Sequence, residues 1–223
     1  MMTIQEGYQG LWETVAASLD VRCGVSIEAI RRDEQVTLTT DQGTSTFDTL
    51  ILACPLHKVA SVLDTTEEER ALFGQIRTLD YQTVTVTVQG LGQRGLVFFM
   101  DNLTSDRAGH VVCGYRRWKD SDVWALYVMS DGTHDDATVL GNVEADLKAV
   151  GAQLQQVWRH DKWDFYPHVT PEAFRAGFYP EIEALQGRNH TFIVGEIMAA
   201  ASVESVARYS RDLVQRHFSA SVP

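Results

Sequence analysis

Cysteine is scarce in this chain: Cys23, Cys54 and Cys113 are widely spaced and form no C-x-x-C pair. That argues against a disulfide framework and a structural zinc site, and leaves buried, reduced thiols as the expectation. Long apolar runs are lacking too. No segment approaches the roughly 18 uninterrupted apolar residues of a membrane span, so a soluble protein without one is expected. Positive charge is in short supply, with 19 Lys and Arg against 30 Asp and Glu and a net charge of −11. Phosphate contacts need clustered cations, which excludes nucleic acid and anionic membranes as expected partners. The pairs Arg31-Arg32 and Arg116-Arg117 are too short to change that. The seven histidines show neither H-x-x-x-H nor H-x-H spacing. No metal site is therefore expected, and a metal-dependent hydrolase has little support. Met1-Met-Thr-Ile-Gln-Glu6 lacks the basic and apolar regions of a secretory signal, which points to a cytoplasmic location.

What is present reads as an ordinary globular chain. Its 223 residues are 44 % hydrophobic and 22 % charged, and a chain of this size can bury roughly 70 % of its unfolded surface. Leu11, Val15, Ala16 and Leu19 recur at helical spacing and predict a helix over 7–19, with Trp12 at its margin. Val25-Ser-Ile27 begins a short extended segment, and Gln35 to Thr40 has the Thr and Val content of a strand. Thr46 to Cys54 becomes a continuous apolar run, like one strand buried on both faces and stopped by Pro55.

Short helices are expected over 56–63 and 67–75, and strands over 81–88, 96–100, 110–115 and 123–129. A helix over 135–150 has Val139, Val143, Leu147 and Val150 on one face, with Asp135 or Asp136 near its start as its cap. A further strand is expected from about Leu154 to Trp163, after which the chain passes through Tyr166-Pro167 and short helices.

One motif is misleading. Gly90-Leu-Gly-Gln-Arg-Gly95 satisfies G-x-G-x-x-G by letter. A dinucleotide loop needs its glycines to open a helix whose N–H groups face a diphosphate. Here Leu96-Val-Phe-Phe-Met100 follows, which is short and β-prone, so a strand-to-strand loop is expected.

The end of the chain is the most informative part. Phe192-Ile-Val-Gly-Glu196 reads as a buried strand delivering an acid at its carboxyl end, where ligands collect in open α/β sheets. A helix-like stretch from Ser202 to Phe218 follows. Upstream lie Gly7-Tyr-Gln-Gly-Leu-Trp-Glu-Thr-Val-Ala16, Val25-Ser-Ile27, Phe47-Asp-Thr-Leu-Ile-Leu-Ala-Cys-Pro55 and Trp163-Asp-Phe-Tyr-Pro167, in that order. This succession resembles the carboxy-terminal half of the flavin-containing amine oxidase superfamily. That group includes amine and amino-acid oxidases, phytoene desaturase-like enzymes and FAD-dependent fatty-acid isomerases.

The resemblance implies an α+β or α/β fold in which incomplete FAD-binding elements flank a mixed-sheet substrate domain. Residues 1–55 would be FAD-domain-like and 56–150 the substrate-binding domain. Residues 151–223 would hold its return strand and the last FAD-domain strand and helix. It also implies FAD as cofactor and a small organic substrate. Val25 and Ile27 would lie by the adenosine, and Ala53, Cys54 and Pro55 close to the cofactor. Gly195, Glu196, Val203, Glu204 and Ser205 would lie by the ribityl and diphosphate groups, at a helix amino terminus that suits an anion. Glu204 departs from the small, glycine-rich sequence usual there.

Trp163 and Tyr166 are candidates for the flavin face, and Tyr166 and His168 for substrate contact. Trp163 as core packing, His168 as a structural residue and Cys54 as a packed thiol are the alternatives. The βαβ unit that carries the glycine-rich diphosphate loop in the family has no counterpart before Gly7. The chain is therefore expected to act with a complementary amino-terminal flavoprotein half, or to self-associate through exposed edges. A non-catalytic remnant acting as a binding or regulatory module is the alternative.

Overall fold

The computed structural model describes residues 7–218, so the reading of Met1–Glu6 lies outside it. The chain opens with helix α1 (Gly7–Ala16), which buries none of its residues; Leu11, Trp12 and Val15 are exposed. The helix stops three residues short of Leu19. Ser18 Oγ donates to the carbonyl oxygen of Val15, a local bond that competes with helix continuation.

Strands β1 (Ile27–Arg32), β2 (Val36–Thr40) and β3 (Gly43–Phe47) form an antiparallel three-stranded sheet. The run expected as one strand from Thr46 to Cys54 is divided. Thr46 and Phe47 close β3, whereas Leu50–Leu52 forms β4, which pairs in parallel with β10 (Thr191–Ile193). Only one face of β4 meets the core, so Leu52 is buried while Ile51 is 46 % exposed. Burial on both faces was the wrong expectation.

Helix α2 (Leu56–Val59) is shorter than expected. Helix α3 (Glu67–Phe73) begins at a capping box: Thr66 Oγ accepts from the Glu69 N–H, and the Thr66 N–H donates to Glu69 Oε2 at 2.8 Å. A first core unites Ile30, Leu52, Leu56, Phe73 and Ile76 with Phe178, Ile182 and Ile193. Each fully buried large apolar side chain there contributes about 1.5–3 kcal/mol. The late members come from α6 (Phe178–Glu183), which follows α5 (Pro171–Ala176) through Gly177 at φ 103°, and from β10.

A second core lies under a five-stranded antiparallel sheet of order β6-β7-β8-β5-β9. Its strands are β5 (Arg77–Gln89), β6 (Leu96–Phe98), β7 (His110–Tyr115), β8 (Val123–Ser130) and β9 (Gln153–His168). On β5, Val84, Val86 and Val88 are buried with Val139, Val143 and Leu147 of α4 (Asp136–Ala149). The alternate residues Tyr81, Thr83, Thr85 and Thr87 are half-buried, as period-2 geometry requires. Asp135 caps α4 by accepting from the Thr138 N–H at 2.8 Å. Strand β9 runs past Trp163 to His168 because it stays paired with β5 to the register Arg77↔His168.

The Gly90–Gly95 segment is a strand-to-strand loop between β5 and β6. At Gly90, φ is +95° and an added Cβ would lie 2.7 Å from the Gly151 carbonyl oxygen. The glycine serves a close backbone approach.

The thiols also differ from expectation, since Cys23 and Cys54 are exposed and Cys113 is intermediate. Cys54 emerges because β4 ends at Leu52, leaving the thiol beyond the paired strand. Finally, α7 (Val203–Phe218) lays Leu213, Tyr209 and Phe218 against Phe192 and Val194.

Candidate functional site

Parallel pairing gives β4 and β10 a common direction, so their carboxyl ends open at the same edge, the position where open parallel sheets collect ligands. Past β4 come Ala53, Cys54 and Pro55; past β10 come Val194, Gly195 and Glu196, with the Val194 N–H donating to the Leu52 carbonyl at 2.9 Å. Gly195 turns the chain at φ 114°, a conformation that favours glycine. The amino terminus of α7 arrives beside it, and Ser202 Oγ accepts from the Ser205 N–H at 3.2 Å.

These segments enclose a cavity of about 500 Å³ whose wall also includes Trp12, Ile76, Thr78, Phe165 and Pro167. A second cavity of about 410 Å³ lies beside it, lined by Leu79, Tyr166, His168, Tyr179 and Ala199 to Ala201. Pro167 and Glu196 belong to both walls.

The walls are mainly apolar, and the titratable groups are few. Burial pushes the Glu196 carboxyl above the usual glutamate range. Cys54 is exposed as a residue but lines the cavity wall, and partial desolvation there raises its thiol, partly offset by a backbone hydrogen bond. Asp164 pairs with Lys58 at 2.7 Å, and that hydrogen bond and charge hold its carboxyl below the usual range.

Behind the cavities, Tyr81 stacks on Tyr127 at 5.8 Å between centroids and meets both Phe165 and Tyr166 at 5.5 Å. Burial, followed by the neighbouring phenols, pushes the Tyr81 hydroxyl well above the usual tyrosine range, and Tyr127 is raised mainly by burial. Both stay neutral through ordinary pH.

Of the residues singled out in the sequence, Ala53, Cys54, Pro55, Gly195, Glu196 and Val203 meet in the larger cavity. Tyr166 and His168 line the smaller. Glu204 and Ser205 sit in the first turn of α7 outside both linings, with Glu204 paired to Arg208. Val25 and Ile27 line neither cavity. Trp163 lines neither; it is 52 % exposed, so it is not core packing, and its indole N–H donates to Thr83 Oγ1 at 3.4 Å.

Sequence reasoning missed Phe165, Thr78, Val206 and Ala207, all of which line the larger cavity. Val206 and Ala207 lie three and four residues beyond Val203, the helical spacing that puts them on one face, so that signal was available. Thr78 and Phe165 meet only through the pairing of β5 with β9.

The cavity suits part of a flavin nucleotide. Its apolar walls accept a planar ring, and a Cβ at Gly195 would meet nothing within 4 Å, so space remains beside the backbone. The α7 amino terminus offers N–H groups and a favourable dipole to an anion. No Lys or Arg lines the cavity among the described residues, so a diphosphate gains no cationic side chain there. Among the described residues no group of three or more His, Cys, Asp and Glu could hold a metal ion, and no helix is long and apolar enough to cross a membrane.

Comparison with known proteins adds to this geometry. A family model described as flavin containing amine oxidoreductase matches residues 1–206. A CLA-producing fatty acid isomerase from P. acnes superposes with a TM-score of 0.88 at 29 % identity, over 95 % of this chain and 52 % of that one. A putative protoporphyrinogen oxidase from Exiguobacterium sp. gives 0.68 at 18 % identity, over 96 % and 51 %. A putrescine oxidase triple mutant gives 0.65 at 12 % identity, over 95 % and 53 %. The latter two show likeness of fold alone. The chain spans about half the length of each of these structures. No curated protein matches.

Proposed function

This chain belongs to the flavin containing amine oxidoreductase family, and on that premise we propose that it forms the substrate-side and carboxy-terminal half of an FAD-dependent oxidoreductase. The observation carrying this reading is the larger cavity, set at the shared carboxyl ends of β4 and β10 and facing the amino terminus of α7. FAD, when bound, supplies a ring that accepts and returns hydride. The chain's own residues bind, orient and exclude water. Ala53 to Pro55, Gly195 and Val203 hold the cofactor, with Glu204 and Ser205 flanking the helix entry and Val25 and Ile27 on the adenosine side. Trp163 borders the flavin side, and Tyr166 and His168 contact the substrate.

The substrate is a small organic molecule that gives up hydride from a C–N or C–H bond or undergoes a double-bond shift. The likeness to a fatty acid isomerase, at 29 % identity, supports the double-bond shift on an unsaturated acyl chain. In either case the apolar wall favours chemistry in which water is excluded.

The diphosphate grip belongs to a complementary amino-terminal half, in a longer chain or as a separate one. Relatives of about twice this length support that division, as do exposed Tyr8, Trp12, Val15 and Ile51, which give such a half apolar surface to cover. The scarcity of cysteine supports a cytoplasmic setting.

The test is thermal melting with and without excess FAD, read beside visible absorbance, for the chain alone and after mixing with the amino-terminal half of a relative. A ligand at about 100 times its dissociation constant raises stability by about 2.7 kcal/mol. The expected result is a flavin spectrum and a raised melting temperature at least in the mixture. Neither appearing in either sample would overturn the proposal. It would favour the second reading, a non-catalytic binding or regulatory module, which the cation-free cavity lining and Glu204 at the helix entry support.

A further inference from the structure

Tyr166 has φ +52°, in the left-handed region where a bulky side chain is strained and glycine is the ordinary occupant. The sheet register shows why. Arg77 pairs with His168 and Leu79 with Phe165, so Thr78 alone faces both Tyr166 and Pro167. This is a β-bulge, and a left-handed residue at the bulge is the form that normally takes glycine.

The bulge undoes strand alternation. Consecutive strand side chains ordinarily point to opposite faces, yet the Phe165 and Tyr166 rings lie 4.5 Å apart, and each meets the Tyr81 ring at 5.5 Å. His168 Nδ1 lies 2.8 Å from the Tyr166 carbonyl oxygen and donates to it. These contacts hold the strained residue in place. As a result Phe165 walls the larger cavity and Tyr166 the smaller, while Pro167 and Glu196 belong to both.

We propose that this bulge is the device that divides the site into two chambers, and that Tyr166 is a specificity-determining residue whose ring walls the substrate chamber. The inference rests on reading the larger cavity as the cofactor chamber and the smaller as the substrate chamber. A glycine at this position would keep the turn without strain but would remove the wall. The tyrosine is therefore retained for its ring. Strain held at a cavity wall by surrounding contacts is the pattern from which a functional role is inferred.

The experiment compares the wild-type chain with Tyr166→Phe, Tyr166→Gly and Tyr166→Ala, without added flavin. Melting temperature is read alongside binding of 1,6-diphenylhexatriene, an uncharged planar hydrocarbon that fluoresces in apolar sites. Tyr166→Phe should match wild type in both. Tyr166→Gly should melt above Tyr166→Ala, because both lose the ring but only alanine keeps the left-handed strain, and should bind the probe about tenfold more weakly than wild type.

Tyr166→Ala melting as high as Tyr166→Gly would overturn the left-handed bulge. Undiminished probe binding by Tyr166→Gly, or no binding by wild type, would overturn the chamber assignment. Because no flavin enters these measurements, failure of the FAD mixing experiment with this order intact would count against the flavin reading alone.

Discussion

Arg32 and Glu69 meet through two parallel hydrogen bonds, from Nη1 to Oε1 and from Nη2 to Oε2, each 2.7 Å long, with both side chains buried. The same guanidinium reaches Asp64 Oδ1 at 2.7 Å and Thr191 Oγ1 at 3.3 Å. One side chain thus ties β1, the start of α3 and β10 together.

Arg32→Met should lower stability by about 3–5 kcal/mol, because it leaves the Glu69 carboxylate buried without its partner. Chemical denaturation measures this. Burial opposes ionisation of Glu69, but hydrogen bonds from Arg32 and Thr66 outweigh it and hold the carboxyl below the usual glutamate range. A depressed folded pKa contributes stability above the unfolded value and loses it as pH falls through the folded one. The deficit of Arg32→Met should therefore be largest near neutrality and shrink below the ordinary glutamate range. A deficit that grew on acidification would contradict the assignment.

Glu196 has the opposite sign. Burial raises its carboxyl, so its contribution is most favourable below the unfolded pKa and is lost as pH rises through the folded one. Glu196→Gln should melt above wild type near pH 8 and converge with it towards about pH 4, near the ordinary glutamate value. Melting curves across that range check the convergence.

The glycines of the Gly90–Gly95 loop should rank by geometry. Gly90→Ala should be the most damaging, since φ is +95° and the new Cβ would sit 2.7 Å from a backbone oxygen. Gly92→Ala, at φ +61° in open space, should cost about 1 kcal/mol, and Gly95→Ala, open and without positive φ, should be nearly neutral. Urea melts provide the order. A loop that bound a dinucleotide would instead show Gly95→Ala impairing cofactor binding.

Helix α1 presents Leu11, Trp12 and Val15 to solvent. If this is where a second half docks, the isolated chain should self-associate with rising concentration, and Leu11→Lys with Val15→Glu should weaken that association. Light scattering decides it, and a monodisperse monomer for the unaltered chain would sink the prediction.

Much of this was legible because it is local. The spacing of Val139, Val143 and Leu147 marked α4 and its buried face, whereas Val150, read on the same face, lies past the helix end and is 44 % exposed; of the two acids at its start, Asp135 is the cap. The strand quality of Leu96 to Phe98 was enough to reject the glycine motif. The segments around Ala53 to Pro55 and Val194 to Glu196 were recognisable as a pair through their resemblance. What could not be read was decided by pairing partners. The break after Phe47 depends on β3 choosing β2 and β4 choosing β10. The place of Phe165 depends on a bulge that exists only once β5 and β9 are in register, and a tyrosine at the left-handed position gives no propensity signal. Trp163 was singled out on residue type; it lines neither cavity, and its indole N–H reaches Thr83, a contact set by the pairing of β9 with β5.

The register that puts Arg77 beside His168 brings together two points far apart in the chain, and the β4–β10 pairing then joins Leu50–Leu52 to Thr191–Ile193. Closure of a long loop carries an entropic cost that grows slowly with length, and long-range pairings slow folding. If the five-stranded unit forms first, its β5–β9 pairing brings those two points together, so β10 finds β4 across a short effective gap. The cofactor side would then be the last part of the chain to assemble, and an incompletely synthesised chain ending before Thr191 would hold a finished sheet and no cleft.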